Sequence, residues 1–227
     1  TQTRGILLYI EGIRDARRFM SALRATARLK PIVLVKVGRH AAGSRAVQSH
    51  TGALVGSDAV FDALVRRAGV VRVNTILQLF ASARALSTHI RPSGNRLAIV
   101  TNGGGPGVMA TDLAVDMGVR MAELSPVTLA TLDRVLPASW SRANPLDIIG
   151  DATAERYRAA VDACLADDGV DGVLVMLTPQ AMTRPTEVAA AVIEAAKNSS
   201  KPVLTCWMGE AQVHQGRRLF KQAGIPF

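Results

Sequence analysis

Short apolar runs alternate with amphipathic stretches of helical length along the whole chain, and this alternation constrains the fold more than any other feature. It is typical of βα units around parallel sheets, in which helices cross over between neighbouring strands. The predicted fold class is therefore α/β with mainly parallel sheets.

The alternation places strands and helices in both halves of the chain. In the first half, the predicted strands are 5–11, 32–37 and 70–74, and the predicted helices are 15–28, 57–68 and 75–87. In the second half, the predicted strands are 96–101, 119–122, 172–177 and 202–207, and the predicted helices are 106–117, 126–136, 154–167, 185–198 and 210–223.

A polar run at 89–95, containing Pro92 and Gly94, separates the two halves and marks the predicted domain boundary. The predicted domains are residues 1–90 and 95–227. The first has too few predicted strands for an ordinary open sheet, so we expect a sheet truncated at its N-terminus. The chain begins at Thr1 rather than Met, which favours a processed or excised piece of a longer protein.

Composition excludes several classes of partner. The net charge of +9 would suit nucleic acid, but the arginines are spread over predicted helices without interleaved aromatic residues, so none is expected. Anionic small molecules and an acidic partner domain agree with this charge. No run of about 18 apolar residues predicts a membrane span. Cys164 and Cys206 form no paired framework, which favours core thiols in a cytoplasmic protein.

A loop of small residues follows the strand predicted at 32–37 and carries Ser49, His50, Thr51 and Gly52. Such a loop lets a ligand approach the backbone, so a reactive imidazole is one interpretation. From the spacing alone, a histidine with a loop or capping role is the better one. Glu11, at the end of the first predicted strand, is by the same standard an exposed turn carboxylate.

A second candidate segment is a glycine-rich turn between a strand and a helix, with Pro106 in the first helical turn. Free backbone N–H groups and the positive end of the helix dipole make such a turn an anion site. It matches neither a P-loop nor a dinucleotide fingerprint. The stretch 144–147, Asn-Pro-Leu-Asp, is predicted to form a rigid turn without chemistry of its own. The candidate phosphate-binding residues of the glycine-rich turn are Asn102, Gly103, Gly104 and Gly105.

The stretch from Lys36 to Phe80, with Ser-His-Thr-Gly-Ala at 49–53, resembles the second flavodoxin-like domain of NDP-forming acyl-CoA synthetases. This group includes succinyl-CoA and ADP-forming acetyl-CoA synthetases, and the resemblance covers essentially the whole chain. It implies two flavodoxin-like, three-layer αβα domains. It also implies that His50 is phosphorylated and that Glu11 contacts it. Phosphate binding is implied for Ser49, Thr51 and Gly52 and for the turn at 102–105. The resemblance implies no metal ligand among these residues.

The resemblance further implies an acid–thiol ligase whose full-length form uses CoA and ATP or ADP with Mg, with none tightly bound to this piece. The implied partners are an ATP-grasp domain and a CoA-binding Rossmann domain, in the same chain or a partner subunit, and a small carboxylic acid. Neither domain occurs in these residues, so we expect the piece alone to be inactive. The resemblance leaves the acyl group, the nucleotide base and any homo-oligomer open.

Two alternatives remain at this point. The stretches 15–22 and 206–210 are similar to the synthetase-like module of bacterial protein lysine acetyltransferases fused to a GCN5-type domain, which would make the chain a regulatory module. A flavodoxin-like binding domain without phosphate chemistry is the other alternative. The intact Ser-His-Thr-Gly-Ala motif favours phosphoryl transfer over both.

Overall fold

The computed structural model describes residues 3, 5–40, 43, 57–87, 91–197 and 199–227. The chain forms two compact units, an N-terminal unit of Thr1–Ser87 and a C-terminal unit of Thr88–Phe227. Each unit has its own parallel sheet and buried core, which confirms the predicted α/β class. Among the described residues, no helix combines the length and hydropathy of a membrane span.

The N-terminal unit alternates strands and helices, in the order β1 (Ile6–Ile10), α1 (Ala16–Ala27), β2 (Ile32–Lys36), α2 (Asp58–Arg67), β3 (Val71–Val73) and α3 (Ile76–Ser87). Its sheet has the order β1-β2-β3, and both strand pairs are parallel. The middle strand, β2, is buried along its whole length. This explains why its sequence does not alternate between apolar and polar residues.

The two faces of this sheet are covered by different helices. On one face, Met20 of α1 and Phe61 and Val65 of α2 pack against Leu34 of β2. On the other face, Leu79 of α3 packs against the β2 side chains that point the opposite way, Val33 and Val35. The sheet is therefore the middle of three layers, because apolar residues of β2 face helices on both sides of it.

The C-terminal unit is larger. Its elements are β4 (Arg96–Thr101), α4 (Gly104–Asp116), β5 (Arg120–Met121), α5 (Pro126–Val135), β6 (Leu146–Asp147), α6 (Ala154–Ala166), β7 (Gly172–Leu177), α7 (Pro185–Ala196), β8 (Val203–Trp207), a 3₁₀ turn (Ala211–Val213) and α8 (His214–Ala223). The strand order is β5-β4-β7-β8, every pair is parallel, and β6 also pairs with β4.

Two short strands share one side of β4. β5 pairs with its first residues, Arg96 and Leu97, and β6 pairs with its last two, Val100 and Thr101. β7 occupies the other side from Leu97 to Thr101. β6 lies in the stretch 144–147, which its sequence predicts as a turn, because two residues are too few to produce a recognisable period.

The core of the C-terminal unit contains both tryptophans of the chain, Trp140 and Trp207, each of which is 2% exposed. The Trp207 and Phe220 rings meet edge to face, with their centroids 4.5 Å apart. The Nε1 atom of Trp207 donates a hydrogen bond of 3.1 Å to the Pro185 carbonyl. Cys164 is fully buried, and desolvation raises the pKa of its thiol to about 12. This agrees with its interpretation as a core residue.

Candidate functional site

In the N-terminal unit, Glu11 lies at the carboxyl edge of the sheet. It directly follows Ile10, which pairs with Lys36 of β2, and the Val37 N–H donates to the Ile10 carbonyl at 3.0 Å. Glu11 is half-buried and lines two neighbouring cavities, an open groove of about 510 Å³ and a smaller cavity of about 180 Å³. Glu11 therefore lies at the edge of the sheet where β2 also ends.

A group of charged side chains surrounds the start of α2; we call it the Asp58 cluster. The Arg72 guanidinium bonds to the Asp58 carboxylate at 2.6 Å and to the Asp62 carboxylate at 3.2 Å. The Lys36 ammonium lies 3.6 Å and the Arg39 guanidinium 3.5 Å from Asp58. The members of the cluster are Lys36, Arg39, Asp58, Asp62 and Arg72.

Ionisation of Asp58 is favoured by this cluster. Burial alone would raise its pKa, but the hydrogen bond from Arg72 and the positive charges of Arg72, Lys36 and Arg39 outweigh it, so the pKa is lowered. The Phe61 ring lies beneath two of the cations, 5.6 Å from the Lys36 nitrogen and 5.3 Å from the Arg72 guanidinium carbon. The cluster has three cations for two carboxylates, so it carries excess positive charge.

The remaining N-terminal site residues predicted from sequence are Ser49, His50, Thr51 and Gly52, and they lie outside the described residues. The segment that carries them leaves β2 after Lys36 and enters α2 at Ser57. Both flanking residues line the smaller cavity with Glu11. The assignment of His50 and of its three neighbours stays a prediction.

In the C-terminal unit, the glycine turn forms the beginning of α4. The helix starts at Gly104, two residues before the predicted start, with Gly103 as its N-cap and no side chain capping it. The first backbone bond inside it runs from the Gly107 N–H to the Gly103 carbonyl at 3.2 Å, and Pro106 has no N–H group. Two N–H groups, those of Gly104 and Gly105, thus have no hydrogen-bond partner in the described part of the chain.

Asn102 fixes the turn to the neighbouring strand. Its side-chain amide donates to the Thr178 carbonyl at 2.9 Å, and its oxygen accepts from the Thr178 N–H at 2.8 Å. The Thr101 hydroxyl holds the turn from the other side, because it accepts a 3.1 Å hydrogen bond from the Gly103 N–H. Asn102 is 1% exposed, so its amide serves the backbone and is not free to reach a ligand.

The turn lies at the switch point of the sheet. After β4 the chain moves outward to β5, whereas after β7 it moves the opposite way to β8, and Asn102 and Thr178 follow the two central strands. In open α/β sheets, ligands bind in the crevice at this point. The free N–H groups at the start of α4 therefore face a position suited to an anion.

Asn144 and Asp147 belong to the stretch 144–147, which the sequence predicts as a rigid turn, whereas the sequence pattern gives Thr178 no role. A Cβ atom on Gly104 would lie 3.0 Å from the Asp147 carboxylate, and one on Gly103 would lie 2.9 Å from the Thr178 hydroxyl. Asn144 substitutes for a strand, since its side chain bonds to the Ile99 N–H at 2.9 Å and to the Leu97 carbonyl at 2.7 Å. Asn, Pro and Asp are common turn residues, so their type alone did not distinguish these roles.

No three His, Cys, Asp or Glu side chains come together as a metal site within the described ranges. The structure brings Glu11 together with Lys36 and Ser57, and it brings the glycine turn together with Asp147 and Thr178. Each unit thus has its own candidate anion site, one built from charged side chains and one from backbone N–H groups.

Comparison with known proteins gives matches for both units. Residues 1–86 match the profile of the succinyl-CoA ligase like flavodoxin domain, and residues 97–227 match that of the Ligase-CoA domain. The chain is 39% identical to the ADP-forming acetate–CoA ligase I of Archaeoglobus fulgidus, over 97% of this chain and 31% of the relative. It is 38% identical to the alpha subunit of the ADP-forming acetate–CoA ligase II of Pyrococcus furiosus, over 99% of this chain and 50% of that subunit.

A solved structure is similar over almost the whole chain. It is the dinucleotide-forming acetyl-coenzyme A synthetase 1 of Candidatus Korarchaeum cryptofilum in complex with phosphate and ADP, with a TM-score of 0.87 and 33% identity. The match covers 98% of this chain and 49% of that one. The chain thus spans between 31% and 50% of the length of these relatives. All three relatives are named as ligases or synthetases that form acyl-CoA. None of the three is named as a protein acetyltransferase, so the resemblance to a GCN5-fused module stays a prediction.

Proposed function

The chain belongs to the NDP-forming acyl-CoA synthetase superfamily, and we propose that it is the phosphoryl-relay part of an ADP-forming acyl-CoA synthetase. The relatives that support this assignment are named as acetate–CoA ligases that form ADP. The observation in the structure that carries the proposal is the start of α4, where two free N–H groups face the switch point of the sheet. Such a group of donors suits a phosphoryl group that is passed from one acceptor to the next.

The relay has three steps. A ring nitrogen of His50 attacks the γ-phosphorus of ATP, the bond to the β-phosphate oxygen breaks, and ADP leaves. The carboxylate of the acid then attacks the same phosphorus, which frees the imidazole and gives an acyl phosphate. The CoA thiolate finally attacks the acyl carbon and expels inorganic phosphate, so that acyl-CoA, ADP and phosphate balance acid, CoA and ATP.

Glu11 is proposed to orient the imidazole. A histidine attacks phosphorus only through a neutral ring nitrogen, and an acceptor on the other nitrogen fixes which one faces the donor. Glu11 follows the strand next to β2, and the segment carrying His50 begins at the end of β2. A carboxylate at this place also stabilises the positive ring that forms when the nitrogen is phosphorylated.

The turn at 103–105 is proposed to bind the transferred phosphoryl group. Backbone N–H groups and the helix dipole stabilise the negative charge of a phosphoryl group, and they remain in place when that group is transferred. The proposal assigns nucleotide and CoA binding to domains beyond this chain, an ATP-grasp domain and a Rossmann domain. Mg²⁺ would arrive with the nucleotide phosphates, since the described residues offer no metal cluster.

Phosphorylation of His50 can be tested directly. The protein that carries this chain is incubated with ATP labelled at the γ-phosphate, and protein-bound label is measured after acid and after base. We expect label that survives base, is lost in acid and disappears in His50→Ala, because a phosphoramidate on imidazole has that stability.

Two controls make the result specific. His214→Ala removes a histidine that begins α8 in the C-terminal unit, and this variant should label like the wild type. Glu11→Gln should slow labelling without abolishing it, because it retains a neutral hydrogen-bond partner. Equal labelling of His50→Ala and the wild type would disprove the relay.

A further inference from the structure

The smaller cavity of the N-terminal unit has the composition of a site for a small organic acid. Its volume is about 180 Å³, and its walls are mainly apolar. The apolar residues that line it are Ile13, Ala16, Met20, Val60, Phe61 and Leu64. A cavity of about 150 Å³ with apolar walls can hold a benzene ring, so this one has space for an acyl chain but not for a nucleotide.

One cation lines this apolar cavity, the ammonium group of Lys36, whose side chain is 5% exposed. Its two nearest oxygen partners are distant, the Val37 carbonyl at 3.4 Å and the Asp58 carboxylate at 3.6 Å. Good hydrogen bonds of this kind are about 2.7–3.2 Å long. Asp58 is meanwhile bonded at 2.6 Å to Arg72. The Lys36 ammonium is thus a buried charge that makes no short hydrogen bond to the described residues. An anionic ligand would stabilise such a charge by accepting hydrogen bonds from it.

Glu11 determines how many charges the ligand can carry. It lines both this cavity and the neighbouring open groove, so it stands where the two meet. A ligand with one carboxylate can place it at Lys36 and its carbon chain against the apolar walls. A dicarboxylate would place its second charge against those walls or beside Glu11, and both positions are unfavourable.

We propose that this cavity binds the acid substrate, a small monocarboxylic acid, with Lys36 holding the carboxylate and Val60 and Phe61 limiting the length of the acyl chain. The proposal rests on the proposed function for the fate of the acid, but binding itself needs neither ATP nor His50. The segment that carries His50 has both of its ends at this cavity, Lys36 and Ser57. A carboxylate held by Lys36 therefore lies beside the segment from which it would accept the phosphoryl group.

Binding is measured on the 227-residue chain by saturation-transfer NMR and by isothermal titration. The ligands are acetate, butyrate, benzoate and succinate. We expect butyrate to bind with a dissociation constant on the order of 1 mM, and Lys36→Met to weaken binding by about 10- to 100-fold, the usual effect of losing a charged hydrogen bond. Lys221→Met, which removes an exposed lysine of the C-terminal unit, should bind as the wild type does.

A second variant tests the walls without changing any charge. Val60 is 58% exposed on α2 and lines the cavity, so Val60→Phe narrows it while leaving the core in place. We expect benzoate and butyrate to bind about tenfold more weakly and acetate to bind as before. Val127→Phe makes the same change at a residue 77% exposed on α5, and should alter none of the affinities. If Lys36→Met does not fold, as judged by circular dichroism, Val60→Phe decides the question.

The proposal is overturned if butyrate does not bind the wild-type chain, if it binds Lys36→Met equally well, or if succinate binds as tightly as butyrate. These results are independent of the relay. If butyrate binds in a Lys36-dependent manner but His50 is not labelled, the cavity is an acid-binding site and the proposed phosphoryl relay is wrong. If His50 is labelled but butyrate does not bind, the relay stands and the assignment of this cavity is wrong.

Discussion

The two units place different chemistry at the carboxyl edges of their sheets. In the N-terminal unit, this edge holds the Asp58 cluster, Glu11 and a cavity lined by Lys36. In the C-terminal unit, it holds three glycines at the start of a helix, and neutral hydrogen bonds from Asn102 to Thr178 and from Gly103 to Thr101 fix the turn. Both edges suit an anion, but one does so with side-chain charge and the other with backbone geometry.

The two sites therefore tolerate different substitutions. Side-chain charge can be removed one residue at a time, and it responds to pH and to salt. Every substitution except one to proline keeps the backbone donors, so the C-terminal site is sensitive mainly to the volume of its side chains and to the bonds that fix its turn. Unfolding of the two units can be followed separately, because both tryptophans lie in the C-terminal unit and their fluorescence reports on its unfolding alone.

The largest effect is expected from Asn102→Ala in the C-terminal unit. The substitution removes both hydrogen bonds to the Thr178 backbone and leaves a buried space, so we expect the free energy of unfolding to fall by about 2–4 kcal/mol. Urea unfolding followed by tryptophan fluorescence measures this loss. A loss below about 0.5 kcal/mol, the range of ordinary surface substitutions, would show that the turn does not depend on the amide.

Asn95→Ala is the matched control for Asn102→Ala. Asn95 is exposed, and its side chain bonds to the Gly118 carbonyl at 3.3 Å and to the Arg120 side chain at 2.8 Å. Loss of exposed bonds of this kind costs about 0.5 kcal/mol or less, because water replaces the lost partner. The comparison separates burial of the amide from the residue type.

Much of the C-terminal fold was predictable because its strands are apolar runs. The strand 96–101 was predicted with the bounds observed for β4, and 172–177 with those of β7. β6 was not, since a two-residue strand gives no periodic signal, and its place is fixed by Asn144 and by pairing with residues 46 positions earlier in the chain. Tertiary contacts of this range cannot be predicted from a local pattern.

In the N-terminal unit, we expect the largest effect from Arg72→Met. The Arg72 side chain is 7% exposed and bonds to two carboxylates, those of Asp58 and Asp62, which are 24% and 32% exposed. Its loss removes the nearest partner of Asp58 and one of the two arginines that contact Asp62, so we expect a destabilisation of about 1–3 kcal/mol at pH 7. Circular dichroism and hydrogen exchange of the N-terminal unit measure it, and tryptophan fluorescence should not change.

The pH dependence of this loss tests its cause. The pKa of Asp58 is lowered in the folded chain, so the stability it contributes is fully present above its unfolded pKa of about 4 and is lost as the pH falls through the folded value. The penalty of Arg72→Met should therefore shrink between pH 5 and pH 2. Arg66→Met, which removes a 77% exposed arginine from Asp62, should cost about 0.5 kcal/mol or less. An equal penalty at both pH values would show that packing, not charge, is lost.

The sites were less predictable than the fold, for a different reason in each unit. Resemblance to a family predicted a role for Glu11, and the residue pattern predicted an anion site at the glycine turn, but Lys36 lies at the end of an apolar strand and carried no signal of its own. Its proposed role follows from the cavity, which is lined by residues of α1, α2 and the loop after β1. Thr178 became a candidate site residue only when the sheet placed it beside Gly103, and Asp147, predicted in a structural turn, lies beside Gly104.

The smallest effects are expected from two glycines of α4, and they distinguish volume from backbone conformation. A Cβ atom on Gly107 would lie 2.9 Å from the Thr101 methyl group and 3.4 Å from Pro145, so Gly107→Ala should destabilise the C-terminal unit by about 1–2 kcal/mol. A Cβ atom on Gly105 would have no neighbour within 4 Å, so Gly105→Ala should stabilise it by about 0.5 kcal/mol, because alanine loses less backbone entropy in a helix.

Tryptophan fluorescence in urea measures both changes. Gly105→Ala keeps its backbone N–H group, so labelling of His50 should persist at the wild-type level if that donor binds the phosphoryl group. Equal stability of the two variants would mean that the crevice beside Thr101 yields to an added methyl group. That result would contradict the expectation that the C-terminal site is sensitive to the volume of its side chains.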